Sequence, residues 1–144
     1  MDHDTLVARL EITDLLTRYA NAVDTRDWES YRSVFTADAH IDYSSAGGAV
    51  GDLDTVTAWL RDTMSMFEMT QHLISNVDVT LGDETATVRA MFYNPMRFKG
   101  GDQFFCGGYY NHDLVRTGER WWSRRLVEDA CWFDGLPAPA APAT

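Results

Sequence analysis

Asp24 and His72 are the residues whose types and settings best suit proton transfer. Asp24 closes the run Arg18-Tyr19-Ala20-Asn21-Ala22-Val23-Asp24, at the end of a helical pattern. His72 sits in Thr70-Gln71-His72-Leu73-Ile74-Ser75-Asn76, at the opening of the first long extended pattern. A histidine whose Nδ1 proton is held by a carboxylate has a fixed tautomer and presents Nε2 as a general base near neutral pH. If the fold joins the two, the chain carries the heart of an enzyme site.

Other polar residues leave alternatives open. Strand alternation puts His72, Ile74 and Asn76 on one face and Leu73, Ser75 and Val77 on the other. Polar groups beside Ile74 read either as a pocket with a few placed polar atoms or as a solvated strand. Further on, Cys106, Gly108, Tyr110, His112 and Leu114 share a face. Tyr110 is a pocket donor or a packed core tyrosine, and His112 a rim or surface group. Gly107-Gly108 marks a bend or a close approach. Arg124 and Arg125 alternate, so at most one reaches a cavity.

The elements that must position these groups are legible in part. Ile12, Leu15, Leu16, Tyr19, Ala20 and Val23 recur at three- and four-residue steps, which predicts a helix over 4–23. Asp27 is the expected N-cap of a short second helix carrying Trp28, Tyr31, Val34 and Phe35. Residues 39–45 alternate as a short strand, and Gly47, Gly48 and Gly51 mark a loop. A third helix starts from Asp52 or Asp54, with Val56, Trp59, Leu60, Thr63, Met64 and Phe67 on one stripe. Four strands follow, over 71–80, 85–98, 103–117 and 121–133, separated by Gly-containing turns. Pro95 suggests a bulge or an edge. Helices followed by an antiparallel meander make an α+β pattern.

The chain has 144 residues, 45% apolar and 12% aromatic, enough for one domain over 1–136 with a core and a modest pocket. The tail from Pro137 is Pro/Ala-rich and expected to be disordered. Net charge is −10, which disfavours nucleic acid and anionic membrane surfaces as partners. No apolar run approaches the length of a membrane span, and the acidic start lacks a signal region, so a cytoplasmic protein is expected. Cys106 and Cys131 lack metal spacing and read as free thiols. The phosphate-loop, dinucleotide, nucleophile-elbow and zinc-helix motifs are absent, and no third ligand joins Asp24 and His72, so no metal and no cofactor are expected.

Several pieces in order resemble the SnoaL-like branch of the nuclear transport factor two-like superfamily, and within it the scytalone dehydratases and hexachlorocyclohexane dehydrochlorinases. They are Glu11-Ile12-Thr13-Asp14-Leu15-Leu16 leading to Tyr19 and Asp24; Phe35-Thr36-Ala37-Asp38-Ala39; His72 with Asn76; and Gly107-Gly108-Tyr109-Tyr110 leading to Leu114, Arg116 and Trp121-Trp122. The resemblance implies a cone-shaped curved antiparallel sheet wrapped by three helices around a deep pocket. It implies that His72 abstracts a proton from carbon and that Asp24 orients it. It also makes Tyr43 a pocket tyrosine near a substrate oxygen. Val23 stands where the dehydratases have a tyrosine, and Tyr93, Asn94 and Met96 occupy the region of their second histidine. On the last strand Leu126 falls on the dehydrochlorinase arginine, with Arg125 beside it.

The resulting expectation is a cofactor-independent lyase, a dehydratase or other β-eliminating enzyme acting on a small molecule. His72 is the base and Asp24 its orienter. Tyr43, Tyr110 or Asn94 would bind a developing oxyanion or a departing hydroxyl. Trp59, Met64, Phe67, Phe92 and Trp132 would form the apolar wall, with Tyr19, Asn76, His112 and Arg125 as further lining. The alternatives are an isomerase or cyclase on a polyketide- or terpenoid-like substrate, and a non-catalytic binding module. Leu73, Val77 and Val79 on one sheet face predict a homodimer or homotrimer through the sheet.

Overall fold

The computed structural model describes residues 1–136; the segment 137–144, expected to be a disordered tail, lies outside the described residues. Helix α1 runs His3–Thr25, with Asp2 accepting from the Thr5 N–H as N-cap. Arg26 ends it in the left-handed region at φ 60°. Helix α2 spans Trp28–Arg32, capped by Asp27 as expected. Strand β1 covers Phe35–Asp42 and β2 Val50–Asp52, joined through a short 3-10 turn at Ser44–Ala46. Asp52 caps α3, Leu53–Met64. Strands β3 Phe67–Thr70, β4 Leu73–Leu81, β5 Thr85–Phe98, β6 Gln103–Thr117 and β7 Arg120–Asp134 complete the chain.

The sheet order is β2-β1-β7-β6-β5-β3, with β4 also on β5. The β4-β5-β6-β7 neighbours pair antiparallel, as the turns predicted. The fold is the expected α+β cone, three helices against a strongly curled sheet, but the sheet is mixed because β1 runs parallel to β7. No turn connects that pair, so nothing local in sequence signals it. Alternating residues of β5 and β6 face the helices: Ala86, Val88, Ala90, Phe92, Asn94 and Met96, and Phe104, Cys106, Tyr110, His112 and Leu114. Ile12, Leu15, Leu16, Tyr19 and Val23 of α1 close this core. Among the described residues, no helix is long and apolar enough to cross a membrane.

Other elements differ from expectation. The strand expected at 39–45 begins four residues earlier, because Phe35 pairs with Ser123, and Tyr43 starts the 3-10 turn. Val50–Asp52, expected in a loop, is a short strand on β1. Phe67 is not on the α3 stripe but opens β3 against Phe98. The strand expected over 71–80 starts at Leu73, leaving Gln71 and His72 in a break between β3 and β4. Pro95 is neither an edge nor a bulge: it sits opposite that break, where no ladder bond needs its missing N–H.

The register of β4 against β5 shifts between Ser75 and Asp78, with Asn76 at φ 48°. This bulge reverses the alternation. Val77 packs against the core and Val79 is buried, while Leu73 alone stays outside. The apolar outer face expected from Leu73, Val77 and Val79 therefore does not exist.

Candidate active site

Asp24 lies in the last turn of α1, and the αL turn at Arg26 directs the chain back so that this helix end meets the β3–β4 break. Arg26 Nη1 secures the corner by donating to the Val23 carbonyl oxygen at 2.7 Å and to Thr70 Oγ1 at 2.8 Å. The break frees the His72 backbone N–H from the ladder, and it donates to Asp24 Oδ2 at 2.8 Å. His72 Nδ1 and Asp24 Oδ1 are 2.6 Å apart, and Thr70 Oγ1 donates to the same Oδ1 at 3.0 Å. Side-chain exposure is 7% for His72 and 21% for Asp24, so the pair is shielded from bulk water. Burial opposes ionisation of Asp24, but the hydrogen bonds and charge of His72, with Thr70, outweigh it and hold the carboxyl below its ordinary value. An ionised Asp24 accepts from Nδ1–H and leaves Nε2 as the ring's acceptor.

His72 is also on the wall of a half-enclosed cavity of about 150 Å³. Its other walls are largely apolar: Val23, Trp59, Leu60, Met64, Phe67, Met96, Phe104 and Phe133. Tyr19, Tyr43, Thr63, Asn94, Tyr110 and Glu128 are the polar members besides His72. Tyr43 is a hub, with its hydroxyl 2.7 Å from that of Tyr19 and 2.9 Å from that of Tyr31. Burial pushes the Tyr19, Tyr43 and Tyr110 hydroxyls well above their ordinary pKa, so they stay protonated and able to donate. Asn94 Nδ2 donates to the Tyr110 oxygen at 3.3 Å, while its Oδ1, buried, has no partner. The arrangement brings an imidazole paired with a carboxylate, hydroxyl donors and an apolar wall into one small volume.

The model of the SnoaL-like domain matches residues 4–127. The chain belongs to the SnoaL-like family. An uncharacterised protein of Mycobacterium tuberculosis is 39% identical over 126 residues, 86% of each chain. Among solved structures, a candidate aromatic ring hydroxylase of Novosphingobium aromaticivorans is 30% identical, with a TM-score of 0.77 over 89% of this chain and 92% of that one. A candidate scytalone dehydratase of the same organism has a TM-score of 0.81 at 20% identity, covering 98% and 95%. The hexachlorocyclohexane dehydrochlorinase of Novosphingobium barchaimii has a TM-score of 0.83 at 16% identity, over the full length of both chains. The last two likenesses concern the fold.

In this SnoaL-like chain the cavity gathers His72, Tyr19, Tyr43, Trp59, Met64, Phe67, Asn94 and Tyr110 from the residues proposed on sequence, with Asp24 directly behind His72. Five others lie elsewhere. Asn76 is exposed at the β4 bulge. Phe92 is buried one layer away, stacked on Tyr110 at 4.4 Å between centroids. His112 is neither rim nor surface: it is a core residue whose Nδ1 is 2.9 Å from Ser123 Oγ, and burial pushes its pKa down to about 3. Arg125 is exposed, 3.7 Å from Asp113. Trp132 lies outside, against Tyr93.

Two bulges in β7 explain the last pair. Ser123 pairs with Leu114 but Arg125 with Asp113, so Arg124 is extra and both arginines face outward. Ala130 pairs with Gly108 but Trp132 with Gly107, so Cys131 is extra, and Phe133 takes the inner position expected of Trp132. The glycine pair is a close approach: a Cβ at Gly108 would run into the bulged backbone of Asp129–Cys131, and one at Gly107 into the Trp132 indole. Glu128, inward between the two bulges, went unrecognised in the sequence because counting alternate residues through them fails.

Proposed function

We propose that the chain is a cofactor-independent small-molecule lyase in which His72 removes a carbon-bound proton. The observation that carries this is the 2.6 Å contact of His72 Nδ1 with Asp24, made by a histidine on the wall of an apolar cavity. Nε2 takes the proton, and Asp24 stabilises the imidazolium as it forms. A hydroxyl from Tyr43 or Tyr110 binds the oxygen on which charge develops. An apolar cavity near 150 Å³ is of the size that holds benzene, so the part of the substrate inside is about one ring.

The fold and its dehydratase and dehydrochlorinase neighbours favour a small-molecule lyase or isomerase class. Loss of water and loss of hydrogen chloride are both β-eliminations that begin at a C–H bond, which is why elimination is preferred. The isomerase reading uses the same base and returns the proton to another carbon; product analysis separates the two. The test is a screen of hydroxylated and halogenated cyclic compounds against wild type and His72→Ala. Turnover that survives in the variant removes His72 as the base, whereas no turnover of any compound by wild type leaves a binding module as the better reading. Assembly through the sheet remains part of the proposal, now through the outer aromatics: Tyr93 stacks on Phe105 and lies tilted against Trp132. Sedimentation of Trp132→Glu at the wild-type mass would end that part.

A further inference from the structure

We propose that Glu128 is the acid of this cavity: it protonates a departing hydroxyl while His72 takes the C–H proton, so the reaction is loss of water and not of halide. The inference rests on the lyase reading above.

Glu128 lines the same cavity as His72. Its backbone is fixed, because Ser45 Oγ donates to its carbonyl oxygen at 2.7 Å and accepts from the Ala130 N–H at 2.9 Å. It is the cross-strand partner of Tyr110. Among the described residues, no cationic side chain lies within ion-pair distance of its carboxyl. A carboxyl removed from water without a cation keeps its proton. Burial accordingly raises its pKa to about 7, against the opposing hydroxyl of Tyr110 and with the Asp42 charge adding to the rise. The groups that face it electrostatically are Tyr19 from α1, Tyr31 from α2, Asp42 from β1, and Cys106 and Tyr110 from β6. None of these supplies a positive charge.

The leaving group follows from the acid: hydroxide leaves a carbon readily only when a proton makes it water, whereas a halide leaves as the anion without one. The C–H proton moves to His72 Nε2 and its electron pair forms the C=C bond. The C–O bond breaks with its pair on oxygen, which takes the Glu128 proton and leaves as water. Transfer of the proton from His72 to Glu128, directly or through water, restores the starting state.

Two probes share a ring and a product and differ only in the leaving group: 3-hydroxycyclohexanone and 3-chlorocyclohexanone, both giving cyclohexenone, followed by enone absorbance above background. Glu128→Gln is expected to lower kcat on the hydroxy ketone by about 10²-fold, the usual worth of a positioned acid, and on the chloro ketone by less than about fivefold. His72→Ala should lose both. Equal losses of the two in Glu128→Gln, or no loss, overturn the acid role while leaving the lyase reading intact. Turnover retained in His72→Ala, or no enone from either probe with wild type, overturns the lyase reading itself. If Glu128→Gln fails to fold, the wild-type pH profiles decide. Turnover of the hydroxy ketone should fall above about pH 7, where the acid is spent, while that of the chloro ketone should not. Coincident alkaline limbs refute the proposal.

Discussion

Two histidines face the inside of the curled sheet, and their surroundings give them opposite properties. His72 lies in a break in the sheet, with an ionised carboxylate on Nδ1 and a cavity beside its ring. His112 lies in the middle of β6, enclosed by core, with a serine hydroxyl on Nδ1 and no partner for its buried Nε2. A carboxylate can support the imidazolium; a hydroxyl in a dry core cannot, which is why burial drives the His112 pKa to about 3. Residue type alone does not distinguish a histidine proposed as a base from one that only packs. The partner on Nδ1 and the space beside the ring do.

The largest expected effect tests the His72 side of this contrast. His72→Ala should lower kcat by about 10²–10⁴-fold on whichever substrate is found. Asp24→Asn should cost a similar amount or less, since the imidazole stays but loses its orienter. The double variant should be little worse than His72→Ala, because the pair acts as one unit. Melting temperatures should move little for His72→Ala, which sits on a cavity wall. If the two losses multiply in steady-state kinetics, the pair does not act as one unit.

The opposite outcome is expected at His112, where the readout is stability. Its folded pKa is depressed, so the unfolded chain binds the extra proton and stability falls as pH drops from about 6.5 towards 3. The loss is on the order of 4 kcal/mol across that window. Glu128 acts with the other sign: its raised pKa makes stability fall as pH rises from 4.5 to about 7. Comparing wild type with His112→Asn by urea unfolding at pH 7 and pH 4 isolates the histidine. The variant should be less stable at pH 7 but lose less on acidification. Equal acid losses in both would mean that His112 is accessible to protonation when folded. Asp24 interferes little, since its depressed pKa gives a stabilisation that is present above about 3.8 and is lost only as pH falls below that.

How much of this contrast was legible in the sequence follows from where the chain keeps its periodicity. Helix α1 and strands β5 and β6 hold an unbroken repeat, so their inner residues, Tyr110 among them, could be counted off. Asp24 and His72 stood out by type and by family resemblance, although the break that places His72 carries no periodic signal. The failures cluster at irregularities. One bulge moved Asn76 out of register and turned Val77 inward. Two more in β7 hid Glu128 and exchanged Trp132 for Phe133. The parallel pairing of β1 with β7 has no turn to announce it. Gly107-Gly108 was the one available warning, since adjacent glycines in mid-strand mark a partner backbone lying close.

A smaller effect is expected at the hydroxyl cluster of Tyr19, Tyr31 and Tyr43. Tyr43→Phe removes the shared partner of Tyr19 and Tyr31 and leaves two buried hydroxyls unpaired. The cost should be about 1–3 kcal/mol in denaturant unfolding. If Tyr43 also binds the substrate oxygen, kcat falls with it; a loss of stability alone would give the oxygen-binding role to Tyr110.

The smallest effect is the most direct check on the β7 register. Family resemblance drew attention to Arg125, beside the position of the dehydrochlorinase arginine, as a lining residue. The bulge at Arg124 instead puts Arg125 on the outer face, 3.7 Å from Asp113, with 57% of its side chain exposed. An exposed pair at that distance contributes little, because water screens the charges and both side chains lose freedom on pairing. Arg125→Ala should therefore leave kcat within twofold and stability within about 0.5 kcal/mol. Its neighbour Leu126 is fully buried, so Leu126→Ala should cost about 2–5 kcal/mol. The two substitutions sit one residue apart on one strand, and only the bulge decides which of them faces the interior. A tenfold loss of turnover in Arg125→Ala would mean that the arginine reaches the cavity. The register through Arg124 would then be wrong, and so would the inward placement of Glu128 that depends on it.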